Sequence, residues 1–284
     1  MKHNNTGDGL ESVELLHLST EGGARATMSL FGGHLLSWRP LPNHSEQLYL
    51  SDNAVMNASA PIRGGVPVLF PKFGVQETMP NHGFARIMNW RVKEQLSHEW
   101  GESVELCLSD TPVTRTYWPH EFRVSLIIEL RDASVAMLYR IENSGLDEFC
   151  FRGGLHTYLA TENVGNTRLV GLLGCDFLES RAMGTEDSPY LTFDKAIDRL
   201  YFHPAAVNEL RLISPERSLS IRSTGFEETM VWNPWSHGES QLSDMSVGDY
   251  ARMLCVESVI ASKDVRVPAG SEWLGSQRLT LLDS

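Results

Sequence analysis

Two short segments carry residue types suited to moving protons. RGGLHTY (152–158) sets His156 behind two glycines and beside Thr157 and Tyr158. Strand-like alternation would put Leu155 and Thr157 on one side and His156 with Tyr158 on the other. An imidazole titrates near neutrality, which suits proton donation, and a hydrogen-bonded core histidine is the plain alternative. RMLCVES (252–258) places Glu257 in an otherwise apolar run. A carboxylate there needs a partner or a purpose, and burial would lift its proton affinity toward that of a useful base. A solvent-facing strand end is the competing reading.

Other segments carry groups suited to anions and hydroxyls. PIRGGVPVLFPKFG (61–74) surrounds Arg63 and Lys72 with prolines and glycines. That composition makes neither a good helix nor a regular strand, and tightly shaped loops are where charged ligand contacts are placed. A buried crossover is the alternative. NHGFAR (81–86) sets His82 in a polar turn, four residues before Arg86. A turn histidine can donate to a hydroxyl or a phosphate. Asp198 in IDRLY could accept from sugar hydroxyls or pair with Arg199. In MVWNPW (230–235), Trp232 could stack on a sugar face and Asn233 could reach a hydroxyl, with core packing and a turn as the other account.

The rest of the chain narrows the chemistry. The net charge of -12 argues against a nucleic-acid partner, which needs a basic face. It leaves room for a small anion, and the basic residues are 19 Arg against 5 Lys. Arginine's planar fork suits two-point phosphate contacts. No G-x-G-x-x-G, P-loop or G-x-S-x-G motif occurs, and the ten histidines show no H-x-H or H-E-x-x-H pairing. The chain is therefore expected to use side chains alone, with no cofactor and no metal, a metal site assembled from distant residues being the alternative. Cys107, Cys150, Cys175 and Cys255 are widely spaced with no Cys-x-x-Cys, so free thiols in a reducing, cytoplasmic setting are expected, buried where they lie in apolar runs. No apolar run approaches a membrane span, and the opening MKHNNTGDGL lacks the apolar core of a signal peptide.

Positioning these groups falls to strands. SVELCLS (103–109) puts Val104, Leu106 and Leu108 on one face. FRVSLIIEL (122–130) and SVAMLYRIE (134–142) flank a hairpin turn at 131–133. VELLHLS (13–19), ARATMSL (24–30), LSIRS (219–223) and ARMLCVESV (251–259) read the same way. VNELRLIS (207–214) fits a short helix or a strand. No window longer than about 12 residues holds a clean helical stripe. The pattern predicts one mainly β domain over 1–284, a sandwich, with 1–10 as a flexible tail.

Taken together and in order, PIRGGVPVLFPKFG, NHGFAR, LHTY, DRLY, VWNPW and CVE resemble the hexose-6-phosphate mutarotases, also called glucose-6-phosphate 1-epimerases. That family lies within the galactose mutarotase-like, or aldose 1-epimerase, superfamily. The resemblance runs from about residue 20 to about residue 280. It implies a large antiparallel β-sandwich with an open sugar cleft. It implies His156 as the catalytic histidine and Glu257 as the catalytic carboxylate, for which the expected roles are acid and base. Arg63, His82 and Arg86 fall on the substrate-binding motifs, the arginines toward the phosphate, and Asp198 on the carboxylate that holds hydroxyls. Lys72 departs from the neutral or aromatic residue common in the family, and Ser258 follows CVE where other small residues or proline are common. The implied partner is a phosphorylated hexose, and a monomer is expected. An aldose mutarotase for unphosphorylated sugar and a non-catalytic carbohydrate-binding protein are the alternatives.

Overall fold

The computed structural model describes residues 13–41, 45–203 and 209–282. The expected tail at 1–10 lies outside these residues. Alternating apolar residues become strands in two large antiparallel sheets, of nine and eight strands. A smaller sheet joins Leu15–Ser19, Arg25–Ser29 and His34–Arg39. The mainly β, antiparallel sandwich is the fold predicted from the pattern.

The nine-stranded sheet forms the back of the molecule. In its Gly101–Ser109 strand, Val104, Leu106 and Leu108 are all buried, as the period of two requires. Phe122–Arg131 and Ser134–Asn143 pair through Arg131 and Ser134, so only Asp132 and Ala133 make the turn. Glu209–Ile213 resolves as a strand, paired with Arg168–Val170 and Ser218–Thr224. Inside the sandwich, one continuous cluster of buried side chains runs from Leu18 to Leu279. Each buried Val, Leu, Ile or Phe contributes about 1.5–3 kcal/mol of transfer free energy. A core on that scale can carry a local cost of a few kcal/mol at one buried polar site.

The eight-stranded sheet forms the front and carries the proposed chemistry. Its longest member, Met253–Val267, pairs with Glu228–Asn233 on one side. On the other side it meets Phe149–Leu155 and Tyr158–Ala160. It differs from the 251–259 strand expected. Residues Asp249–Arg252 form a 3-10 turn, and beyond Val259 the strand continues to Val267 through a register shift between Ile260 and Val265.

Polar cross-bracing joins front to back. Gln277, on the back sheet and fully buried, accepts from the Thr157 hydroxyl. Its amide nitrogen donates to the Val256 carbonyl at 3.2 Å and to Ser258 Oγ at 2.7 Å. Ser258 also bonds Ser223 across the sheets. All four cysteines are free; Cys175 and Cys255 are buried, whereas Cys107, despite its apolar run, is only half-buried. No helix among the described residues is long and apolar enough to cross a membrane.

Candidate active site

His156 follows the Phe149–Leu155 strand where the chain crosses to Tyr158–Ala160. Leu155 and Thr157 turn into the core, Thr157 held by Gln277. His156 and Tyr158 therefore share the opposite face, with rings stacked at 4.6 Å and 6°. Glu257 occupies the same face of the neighbouring strand, between Val256 and Ser258, which Gln277 pins. One buried amide thus braces both segments from behind.

The two side chains meet. His156 Nδ1 lies 3.2 Å from Glu257 Oε1, with Glu257 only 2% exposed and His156 8%. The contact is close but not aligned as a hydrogen bond. Among the described residues, neither His156 Nδ1 nor Glu257 Oε2 has a hydrogen-bond partner. Unsatisfied buried polar atoms cost about 1–3 kcal/mol each, so such a pair marks a site where ligand groups complete the bonding. Burial pushes the Glu257 carboxyl well above the ordinary carboxylate range, and Asp198 adds to the rise. Burial holds His156 well below its ordinary value, with His82, Arg86 and Arg63 adding to the drop. Desolvation therefore disfavours the charged form of each group, which makes the ionised carboxylate a stronger base and the protonated imidazole a stronger acid.

Arg63 belongs to a loop that only this backbone allows. Gly64 adopts φ +111°, and a Cβ there would lie 2.3 Å from the Tyr49 carbonyl oxygen. The buried His34 donates through Nε2 to the Gly64 carbonyl at 2.7 Å and fixes the loop from below. Arg63 Nε then meets Asp244 at 3.1 Å, and Nη1 donates to the Tyr158 hydroxyl at 2.9 Å. That hydroxyl lies 3.5 Å from His156 Nε2. Arg63 is thereby linked to the proposed acid through one phenol.

The NHGFAR turn comes to the same place. His82 has φ +61°, an uncommon conformation for a residue with a side chain, and Gly83 cannot bear a Cβ because Phe70 O would lie 2.1 Å away. The Gly74 amide donates to His82 Nδ1 at 3.2 Å, which leaves Nε2 to carry the ring proton. Burial, reinforced by Arg86 and Arg63, pushes His82 down to about 3, so it is a neutral donor at physiological pH. Its ring lies 5.8 Å from that of His156 and 5.3 Å from Phe73. Arg86 donates to the Asn81 carbonyl at 2.8 Å. Burial lowers Arg86 from its ordinary value and the neighbouring Arg63 adds to this, a strain that a bound anion would relieve.

Asp198 is the second residue of the Ile197–Phe202 strand and pairs in register with Trp232. It does not pair with Arg199, which turns to Glu179 and Glu186 instead. Asp198 makes no hydrogen bond or ion pair among the described residues, and desolvation with the nearby Glu179 raises its carboxyl above the ordinary value. Trp232 stands nearly perpendicular to His156 at 6.3 Å. Asn233 corrects the expectation that it lines the cleft. It is fully buried, donating to Tyr250 O and Met253 O and accepting from the Trp235 amide, so it shapes the turn. Lys72 is half-buried and forms no ion pair among the described residues.

The structure thus gathers His156, Glu257, Arg63, His82, Arg86 and Asp198 at one face. The sequence reading missed Asp244 and the link through Tyr158, and Phe73 beside His82. A separate cavity of about 700 Å³, lined in part by His203, Glu228, Lys263 and Trp273, lies at the other end of the same strands. Its buried carboxylate, Glu228, is already engaged by the Ala261 and Ser262 amides.

The antiparallel sandwich is the fold of galactose mutarotase-like proteins, as solved structures show. A protein provisionally named a mutarotase from Salmonella typhimurium superposes with a TM-score of 0.88 at 25% identity, covering 96% of this chain and 92% of that one. A galactose 1-epimerase from Lactobacillus acidophilus shares the fold, with a TM-score of 0.75 at 11% identity over 95% of this chain and 99% of that one. The aldose 1-epimerase family model matches residues 14–280, and the chain belongs to that family. Among curated relatives, a Salmonella typhimurium protein is 30% identical over 243 residues, 84% of this chain and 80% of its own length. One from Cenchrus ciliaris is 29% identical over 295 residues, 98% of this chain and 87% of its own. Both are provisionally named glucose-6-phosphate 1-epimerases.

Proposed function

We propose that this protein interconverts the α and β anomers of a hexose 6-phosphate, glucose 6-phosphate being the substrate its relatives' names suggest. The observation that carries the reading is the buried His156–Glu257 contact at 3.2 Å with Arg63 and Arg86 beside it. Glu257 removes the proton from the anomeric hydroxyl while His156 protonates the ring oxygen. The C1–O5 bond breaks and the open aldehyde forms. Rotation about C1–C2 turns the other carbonyl face toward the former ring oxygen. On closure His156 takes the proton back from O5 and Glu257 returns its proton to O1. The pair ends with the protons it began with, so no co-reactant is consumed.

The arginines do more than hold the substrate. Their charges help to suppress protonation of His156. A phosphate seated on them would offset those charges and raise the proton affinity of the acid as the sugar arrives. Asp244 and Tyr158 keep the Arg63 fork in place, so little side-chain freedom is lost on binding. Asp198 and the neutral His82 are placed to receive and donate hydroxyl hydrogen bonds, and Trp232 offers a ring face. Exchange NMR at anomeric equilibrium tests this directly. Acceleration is expected with glucose 6-phosphate well above that with glucose, after subtraction of the spontaneous rate. Equal acceleration of both would remove the phosphate role, and none with any hexose phosphate would overturn the reading.

A further inference from the structure

The floor of this site holds a buried thiol, Cys255, that the proposed isomerisation does not use, beside the two residues that it does. Cys255 and Glu257 project from the same face of Met253–Val267, two residues apart, and His156 approaches from the adjoining segment. One atom from each, a ring nitrogen, the thiol sulfur and a carboxylate oxygen, lie within 4.8 Å of one another. All three residues are buried, Cys255 at 0% exposure. Among the described residues, His156 Nδ1 and Glu257 Oε2 are without hydrogen-bond partners. We propose that His156, Cys255 and Glu257 form a binding site for a thiophilic divalent cation, zinc or cadmium, whose occupancy blocks the proton transfers.

Geometry and chemistry favour that class of ion. Zinc bonds of about 2.0–2.3 Å in a tetrahedron place neighbouring donors about 3.3–3.8 Å apart, so closure asks for about 1 Å of side-chain adjustment. Nitrogen, sulfur and oxygen donors suit a borderline-soft ion, whereas magnesium and calcium demand oxygen shells. Three protein ligands leave a fourth position for water. On binding, the Cys255 thiol gives its proton to solvent as the metal–sulfur bond forms. His156 binds as neutral imidazole and Glu257 as carboxylate. Thiolate and carboxylate together balance the two positive charges, so the buried centre is neutral. Arg63 and Arg86 repel the cation but favour both anionic ligands, which limits the net opposition. The lone pairs that take and give protons in the proposed reaction would then be held by the metal. That inhibitory consequence rests on the proposed function; the binding site itself does not.

Cadmium titration of the full chain tests the site without reference to activity. The readouts are the ultraviolet thiolate-to-cadmium charge-transfer band and the proton released. One equivalent should bind with both signals. Cys255→Ser should lose the band that this site contributes, with Cys107, Cys150 and Cys175 supplying any background. Glu257→Gln, nearly isosteric, should bind at least about tenfold more weakly. An unchanged band in Cys255→Ser, or unchanged affinity in Glu257→Gln, overturns the site. Zinc titration of anomer exchange then separates the two proposals. Loss of exchange with the binding midpoint, reversed by chelator, supports both. Stoichiometric binding with undiminished exchange upholds the metal site and overturns the acid–base assignment.

Discussion

The cleft is built on two plans. His156 and Glu257 ride on or beside regular antiparallel strands, braced through Thr157, Val256 and Ser258, yet key polar atoms of their own are without partners among the described residues. Arg63, His82 and Arg86 sit on irregular backbone, at glycine-flanked turns. Much of their bonding is already supplied by Asp244, Tyr158, Gly74 and Asn81. The reacting groups are thus held from behind by regular strands, whereas the anion-binding groups are held through their own side chains on shaped loops, with Arg63 Nε and Arg86 Nε still lacking a hydrogen-bond partner among the described residues. Preorganisation serves chemistry in the first case and recognition in the second.

Removing the base should separate the two plans most sharply. Glu257→Gln keeps the shape but should slow exchange by about 10³-fold, within the range for general acid–base groups, while glucose 6-phosphate still binds. Exchange NMR with calorimetric binding would show it; normal turnover would erase the distinction.

The next effect concerns the loop. Burial pushes His34 down to about 4 from an ordinary 6.5. Above pH 6.5 both folded and unfolded forms are neutral. As pH falls from 6.5 toward 4 the unfolded state gains a proton that the folded state refuses, so stability falls with pH, by about 3 kcal/mol in total. His34→Gln, which can still donate to Gly64 O, should flatten the acid limb by one proton. Urea midpoints between pH 7 and pH 4.5 measure the difference, and identical slopes would exclude His34.

Arg63→Ala should cost about 2–3 kcal/mol of charge-assisted bonding to phosphate, about 10²-fold in kcat/KM for glucose 6-phosphate. Little change is expected with any free hexose that is turned over; an equal fall with both would move Arg63 to the chemical end of the site. Smallest should be Gln277→Met, which strips partners from Thr157, Val256 and Ser258. It should lower stability by about 2 kcal/mol in urea unfolding and depress kcat more than KM. A stable variant with unchanged kcat would show that the brace is dispensable.

Much of this was legible in the sequence because strand periodicity is local. Val104, Leu106 and Leu108 declared their face, and LHTY declared that His156 and Tyr158 would sit together. The short helix Pro112–Tyr117 was not read, because it is too short to show a 3.6-residue stripe, although Thr111 at its N-cap and proline at its first turn mark its start. Asp244 was not legible. It meets Arg63 across most of the chain, from a segment with no motif of its own, and no local pattern encodes a partner that distant. Asn233 misled for a related reason. An amide in a tryptophan-flanked turn has the same local signature whether it faces a sugar or, as here, the carbonyls of Tyr250 and Met253. The family resemblance, more than the individual segments, assembled the six candidate residues into one place.

Gln277 also has a meaning for how this chain can drift. Its amide is shared among a hydroxyl at 157, a carbonyl at 256 and a hydroxyl at 258. Replacing the side chain at 157, 258 or 277 alone strands a buried partner, whereas exchanging all three at once for apolar residues of matching shape leaves fewer stranded groups, the Val256 carbonyl and the Ser223 hydroxyl. Positions 157, 258 and 277 should therefore be inherited as a unit, changing together or not at all, even though none of the three touches a substrate.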